Sequence, residues 1–259
     1  MAKYNQLQNQ LFTIILIISS IIGITTLQKS LIDQEEILTV EQIIQKDQET
    51  AERLALMKKI PTFGFNNLIS SWLFLDFVGY FGNVDQRDVT GYTLTADYYE
   101  IITTLDPRYV NSYFNLDPAL TLFAGRPDLS VKFMADGLRY IQPEQEWAYQ
   151  VWLFKGVNEL LFLGRIQDAM KSYEKAAEWA IIANTEKSII FSKVYQRKIE
   201  FLKTNPDSRR ARYSAWMMLL QNAKDDQTRQ FIFQELEKLG AEIKVENGVL
   251  SINLPDNID

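Results

Sequence analysis

Three groups of side chains have the types and spacing to do chemistry. Ser172 and Lys175 stand three positions apart, the spacing at which a lysine amine helps to deprotonate a serine in an acyl-enzyme. No companion motif accompanies them, and a structural role is expected. Glu144 and Glu146 are the kind of carboxylate pair that cleaves glycosides when both face one cleft, but beside Pro143 they read as part of a turn. Lys193, Arg197, Lys198, Lys203, Arg209, Arg210 and Arg212, opposed in that stretch by Glu200 and Asp207, form a basic region. Such a region suits anionic lipid headgroups or an acidic partner loop, or is simply a solvated face. The 259 residues include no Cys and no His, which removes thiolate nucleophiles, disulfides, imidazole bases and the usual zinc ligands. No catalytic residue, metal or cofactor is therefore assigned, and a non-enzymatic role is expected. A net charge of -6 argues against a nucleic-acid partner, because a phosphate backbone calls for a basic field.

The elements that would position these groups begin with an apolar run. No residue between Lys3 and Lys29 is charged, and Leu11 to Leu27 reads LFTIILIISSIIGITTL. As a helix this core spans roughly 25 Å, and a few flanking residues extend it to the roughly 30 Å of a hydrocarbon layer. The hydroxyls of Thr13, Ser19, Ser20, Thr25 and Thr26 can bond back to helical carbonyls. Ile22 to Ser30 offers no small-x-small cleavage site, so a retained transmembrane anchor over 11–28, after a tail over 1–10, is expected rather than a cleaved signal peptide. Ser19 and Gly23 have a small-xxx-small spacing but read as ordinary lipid-facing residues. Lys3 and the terminal amine precede the span, while Lys29 is followed by Asp33, Glu35 and Glu36. That bias places the tail inside and the remaining chain on the non-cytoplasmic side. Thr39 and Gln42 form a capping box for a stalk helix within 29–61, which Pro61 stops and which is expected to pack back onto the domain.

From Asn66 to Leu239 the punctuation is that of paired helices, with Gly82, Gly125 and Gly164 ending aromatic-rich stretches. In the segment GRIQDAMKSYEKA, from Gly164 to Ala176, small Ala169 and Ala176 flank large Tyr173. This closely resembles the second helix of a tetratricopeptide repeat. Trp152, Gly156 and Gly164 echo the first helix, with one extra residue between the last two. An earlier unit supplies Tyr99, Ile102 and Leu105-Asp106-Pro107; the next runs through Tyr113, Leu116, Gly125, Met134, Gly137 and Pro143. The resemblance implies an all-α chain in which a TPR-like α-solenoid of antiparallel helix pairs, at 62–240, follows the transmembrane helix. Asp117-Pro118 interrupts a first helix, so a kink or restart capped by Asp117 is expected. The insertion NVDQRDVTGYT, 83–93, is expected to be an exposed loop and a candidate contact element. The aromatic stretch from Asn66 to Phe81 either docks on a partner or membrane surface or, as expected here, packs as core; Trp152, Trp179 and Trp216 read the same way. Three further helices from Thr185 to Leu239 are expected to continue and cap the solenoid. In the segment 241–259, Ile243, Val245, Val249, Leu250 and Ile252 surround Asn247-Gly248, the signature of a small C-terminal β-hairpin.

In the repeat family ligands lie along the concave surface of the first helices, which points to Asn111, Phe114, Gln150 and Asn158 as partner-binding residues. The anchored-repeat layout also looks like that of cyanobacterial thylakoid assembly factors. A membrane-tethered protein–protein interaction scaffold follows, in a bacterial inner or thylakoid membrane, with membrane-complex subunits as partners and the bilayer held through 11–28. A permanent accessory subunit of a membrane complex is the alternative, and a hydrolase is the alternative of another class.

Overall fold

The computed structural model describes residues 12–25, 38–246 and 249–255, in two compact units, Met1–Gln42 and Ile43–Asp259. In the first unit, helix α1 covers 12–25 with its apolar side chains exposed, Phe12, Ile15 and Ile21 among them. Ser20 Oγ donates to the Leu16 carbonyl at 2.8 Å and Thr25 Oγ1 to that of Ile21 at 2.9 Å, so the hydroxyls satisfy themselves within the helix. No helix among the described residues is long and apolar enough to cross a membrane. The fourteen described residues of α1 extend about 21 Å; Leu11 and 26–28 of the expected span lie outside the described residues, as do the tail 1–10 and the stalk residues 29–37. The capping box forms: Thr39 N–H donates to Gln42 Oε1 at 2.8 Å and Gln42 N–H to Thr39 Oγ1 at 3.3 Å.

The chain is mainly helical with one small antiparallel sheet. Helix α2, Val40–Met57, leads into α3, Asn66–Gly82; α4, Val84–Thr90; α5, Thr95–Leu105; α6, Val110–Pro118; α7, Pro127–Gly137; α8, Ala148–Leu161; α9, Ile166–Ala183; α10, Glu186–Lys203; α11, Arg209–Asn222; and α12, Asp226–Lys238. Strands β1, Glu242–Glu246, and β2, Val249–Asn253, pair antiparallel with Glu246 opposite Val249, as the Asn247-Gly248 signal predicts; those two residues lie outside the described ones. Tyr213 donates to the Ile252 carbonyl at 2.8 Å, holding the hairpin to α11.

Leu54 of α2 is buried, and Arg53 pairs with Asp76 of α3 at 2.6 Å, so this helix lies on the domain. The insertion at 83–93 is not a loop: it folds as α4, whose N-terminus Asn83 caps by accepting from Gln86 N–H at 3.2 Å. Arg87 turns inward, donating to Asp47 at 2.9 Å and to the Gly91 carbonyl at 2.7 Å, with its guanidinium 3.7 Å from the Tyr80 ring centroid. One buried cation with a carboxylate, a carbonyl and an aromatic face fixes a segment that its charge alone marked as exposed.

The core runs from Leu73 and Phe77 through Tyr98, Tyr99 and Ile102 to Tyr113, Leu116, Leu120 and Met134. Close helix approach depends on two glycines. A Cβ at Gly137 would fall 1.8 Å from the Tyr113 hydroxyl oxygen, and one at Gly156 would fall 3.0 Å from Tyr173 Cε1, so both tyrosines seat directly on backbone. Asp117 does not restart a helix as its cap. Helix α6 runs through Pro118 and widens into a π-turn, Ala119–Phe123, in which Ala124 N–H reaches back five residues to the Ala119 carbonyl at 3.0 Å. Proline removes a donor from the helical ladder, and the wider turn accommodates that defect.

Helix α10 stacks on α9 through Ser188, Ser192, Tyr195, Ile199 and Leu202. Helices α11 and α12 do not prolong the stack beyond α10; they fold back. Trp216 packs edge-on against Phe162 at 5.3 Å, and Leu122 of the π-turn joins the same cluster. Asp225, Thr228 and Arg212 lie against Gly91, Gly125 and Gly164 respectively. All three glycines have positive φ and no side chain, so the backbone turns tightly and the returning helices sit down on it.

Candidate partner-binding surface

Helix α3 is apolar all round, a pattern that reads as a buried helix, yet only one side is covered. Ser70, Leu73 and Phe77 are buried toward α5. On the opposite side Leu68, Trp72, Leu75 and Val78 remain 67%, 49%, 70% and 51% exposed. This corrects the expectation that the stretch is core on both sides: α5 packs on one face, while on the other the described residues leave most of the stripe exposed, with the Arg53 guanidinium of α2 reaching over the Trp72 ring at 5.6 Å from its centroid. At 100° per residue, Leu68, Ser71, Trp72, Leu75, Val78, Gly79 and Gly82 fall within one stripe roughly 120° wide. The stripe carries no charge. Asp76, the charged residue of α3, turns aside to Arg53 and accepts from the Tyr98 hydroxyl at 2.7 Å.

Gly79 and Gly82 sharpen this surface. A Cβ at either position would meet nothing within 4 Å, and neither has positive φ. A glycine inside a helix, as Gly79 is, costs about 0.5–1 kcal/mol relative to alanine, and no contact among the described residues offsets that cost; Gly82 closes the helix. Small residues along an uncharged stripe create a shallow track in which another helix can approach backbone to backbone. The small residues on the Leu75 side were the sequence signal that could have revealed the surface; the all-round hydrophobicity of α3 concealed it.

The residues picked from the repeat resemblance lie along the neighbouring helices α6 and α8. Asn111 is exposed and Gln150 half-buried. Phe114 packs edge-on against Phe154 at 5.6 Å. Asn158 is buried, with both ends of its amide engaged. Its Nδ2 donates to Asp117 Oδ1 at 2.6 Å and to the Phe154 carbonyl at 2.9 Å, while its Oδ1 accepts from Thr121 at 2.8 Å. Ser130 adds a bond to Asp117 at 3.0 Å. Asp117 thus links the π-turn region to α7 and α8. Burial holds its carboxyl above the usual carboxylate range, opposed by the bonds from Asn158, Ser130 and Thr121.

Ser172 is buried, and its amine neighbour is Lys155 rather than Lys175. Ser172 Oγ donates to Glu159 Oε2 at 2.6 Å and accepts from Lys155 Nζ at 3.0 Å; Lys155 is also ion-paired with Glu159. An ammonium in such a pair has no lone pair with which to take the serine proton, so the trio fastens α8 to α9. Lys175 pairs outward with Glu178 at 2.7 Å. Glu144 and Glu146 are exposed before α8.

The basic residues differ in exposure and in pairing. Lys193, Arg197 and Lys203 are exposed on α10. Lys198 is half-buried over the Tyr173 ring at 4.7 Å, and burial lowers its ammonium pKa. Arg209 pairs with Asp207 at 3.0 Å and Arg210 is exposed. Arg212 lies over Gly164, where burial lowers the pKa of its guanidinium. No family model, curated protein or solved structure matches the chain.

Proposed function

We propose that this chain is a membrane-tethered scaffold, built as a TPR-like solenoid, that holds an apolar helix of another protein, such as a membrane-complex subunit, on the outer face of α3. The observation that carries the reading is the pairing of exposed Leu68, Trp72, Leu75 and Val78 with Gly79 and Gly82, over which the described residues leave open space. Burying such side chains gives about 1.5–3 kcal/mol each, enough for a small stripe to anchor a complex. The tether rests on the uncharged interval between Lys3 and Lys29 and on the exposed apolar side chains of α1; it raises the local concentration of a partner in the same membrane. Lys3 and the terminal amine before the uncharged interval, against Lys29 after it, favour the non-cytoplasmic side for the soluble part.

The test is recovery of the tagged full-length chain from gently solubilised membranes. Wild type should bring down a defined partner, while Leu75→Glu, altered at a solvent-exposed position, should melt like wild type and lose it. Recovery of the wild-type chain alone, or equal partner yield from both, would reject the scaffold reading.

A further inference from the structure

Helix α10 has a second uncovered face of different chemistry. Its inner side is complete, from Ser188 to Leu202 against α9. Opposite lie Ile190, Val194, Arg197 and Phe201, at i, i+4, i+7 and i+11, with Lys193 beside them. Ile190, Val194 and Phe201 are 56%, 47% and 61% exposed. Lys187, Lys193 and Arg197 line this solvent side together with Glu186 and Glu200, and Glu200 is occupied by Lys203 at 2.6 Å. Among the described residues no carboxylate pairs with Lys187, Lys193 or Arg197. In a continuing stack α11 would cover this face, but α11 folds back onto α8 and the π-turn.

We infer that this face of α10 lies on an anionic lipid surface, with Ile190, Val194 and Phe201 entering the headgroup boundary and Lys187, Lys193 and Arg197 meeting phosphate-bearing headgroups. The inference rests on the membrane tethering proposed above. Exposed apolar side chains interleaved with unpaired cations are the composition of an interfacial helix. The α3 stripe carries no cation of its own, and the Arg53 guanidinium over Trp72 is already paired with Asp76, so it lacks that complementarity. Residues 26–39 reach at most roughly 50 Å when extended, so a bilayer that holds α1 stays within range of the domain. The tether keeps the domain at high local concentration beside the bilayer, so a basic interfacial face of modest affinity suffices to seat it.

Because the chain has no cysteine, single reporters test this in the full-length protein. Val194→Cys, and Gln230→Cys on α12 as control, would each carry an environment-sensitive dye and be reconstituted with vesicles of phosphatidylcholine alone or with one third phosphatidylglycerol. The expected result is a severalfold drop in acrylamide quenching at position 194 with anionic vesicles only, no change at 230, and loss of the effect in Lys193→Glu/Arg197→Glu. Equal quenching at 194 in both vesicle types overturns the assignment while leaving the tether intact. Shielding in native membranes but not in pure anionic vesicles assigns the face to an acidic protein and overturns it as well. A chain that fails to float with either vesicle overturns the tether itself, and the lipid assignment with it.

Discussion

Asn158→Leu separates a packing role from a ligand-binding role at a residue that the repeat pattern nominates for binding. The substitution keeps volume and removes three bonds, at 2.6, 2.9 and 2.8 Å. The bond to Asp117 is charge-assisted and worth about 1.5–3 kcal/mol, and the two neutral ones about 0.5–1.5 kcal/mol each. Leucine offsets part of this by added apolar burial, leaving a net loss of about 3 kcal/mol. In a domain of this size each kcal/mol shifts Tm by roughly 2–4 °C, so a fall of roughly 6–12 °C is expected. Tryptophan emission during a thermal ramp of the full chain in mild detergent reads it. An Asp117→Leu/Asn158→Leu double variant should lose less than the sum of the single changes, because the second substitution removes an already orphaned group. A melting point within about 2 °C of wild type, together with loss of a bound partner, would refute the packing role.

Acidification should favour the wild type over Asp117→Asn. Burial raises the Asp117 carboxyl pKa in the folded chain, so the folded state binds that proton more tightly than the unfolded state. Its contribution is therefore present at low pH and lost as pH rises through the folded value. The Tm difference between the two should shift toward wild type from pH 7 down to about pH 4; a constant difference would contradict this. Asp47→Ala strands Arg87, whose side chain is 2% exposed, and should cost about 3–5 kcal/mol, read as faster proteolysis within α2, with partial recovery in Asp47→Ala/Arg87→Met. Gly137→Ala, with its Cβ 1.8 Å from the Tyr113 hydroxyl oxygen, should cost about 1–3 kcal/mol of stability, read as a lower urea midpoint.

The helix pairs and the hairpin were legible because their signals are local: Ala169 and Ala176 around Tyr173, glycines at turns, Asn-Gly between alternating apolar residues. The capping box at Thr39 and Gln42 was legible for the same reason. What escaped the sequence was non-local. Arg87 reads as a surface charge until Asp47, forty residues earlier, is placed beside it. The return of α11 and α12 depends on Asp225, Thr228 and Arg212 meeting three distant glycines, a pairing that no local pattern encodes. Pro118 signals a defect, but whether the helix restarts or widens depends on the donors that Ser130 and Asn158 bring to Asp117. Asn158 itself matched a ligand position by register and was claimed by that network. In α3, hydrophobicity showed that the helix wants apolar contact, but not that one side of it stays bare.

The α3 surface is tested most directly by Gly79→Leu, measured as partner recovered per full-length chain from gently solubilised membranes, beside the variant's own Tm. A leucine there fills open space and improves helix propensity by about 0.5–1 kcal/mol, so the variant should melt at or above wild type while partner recovery falls at least about tenfold, which is about 1.4 kcal/mol. Undiminished recovery with Gly79→Leu would contradict a helix seated on α3.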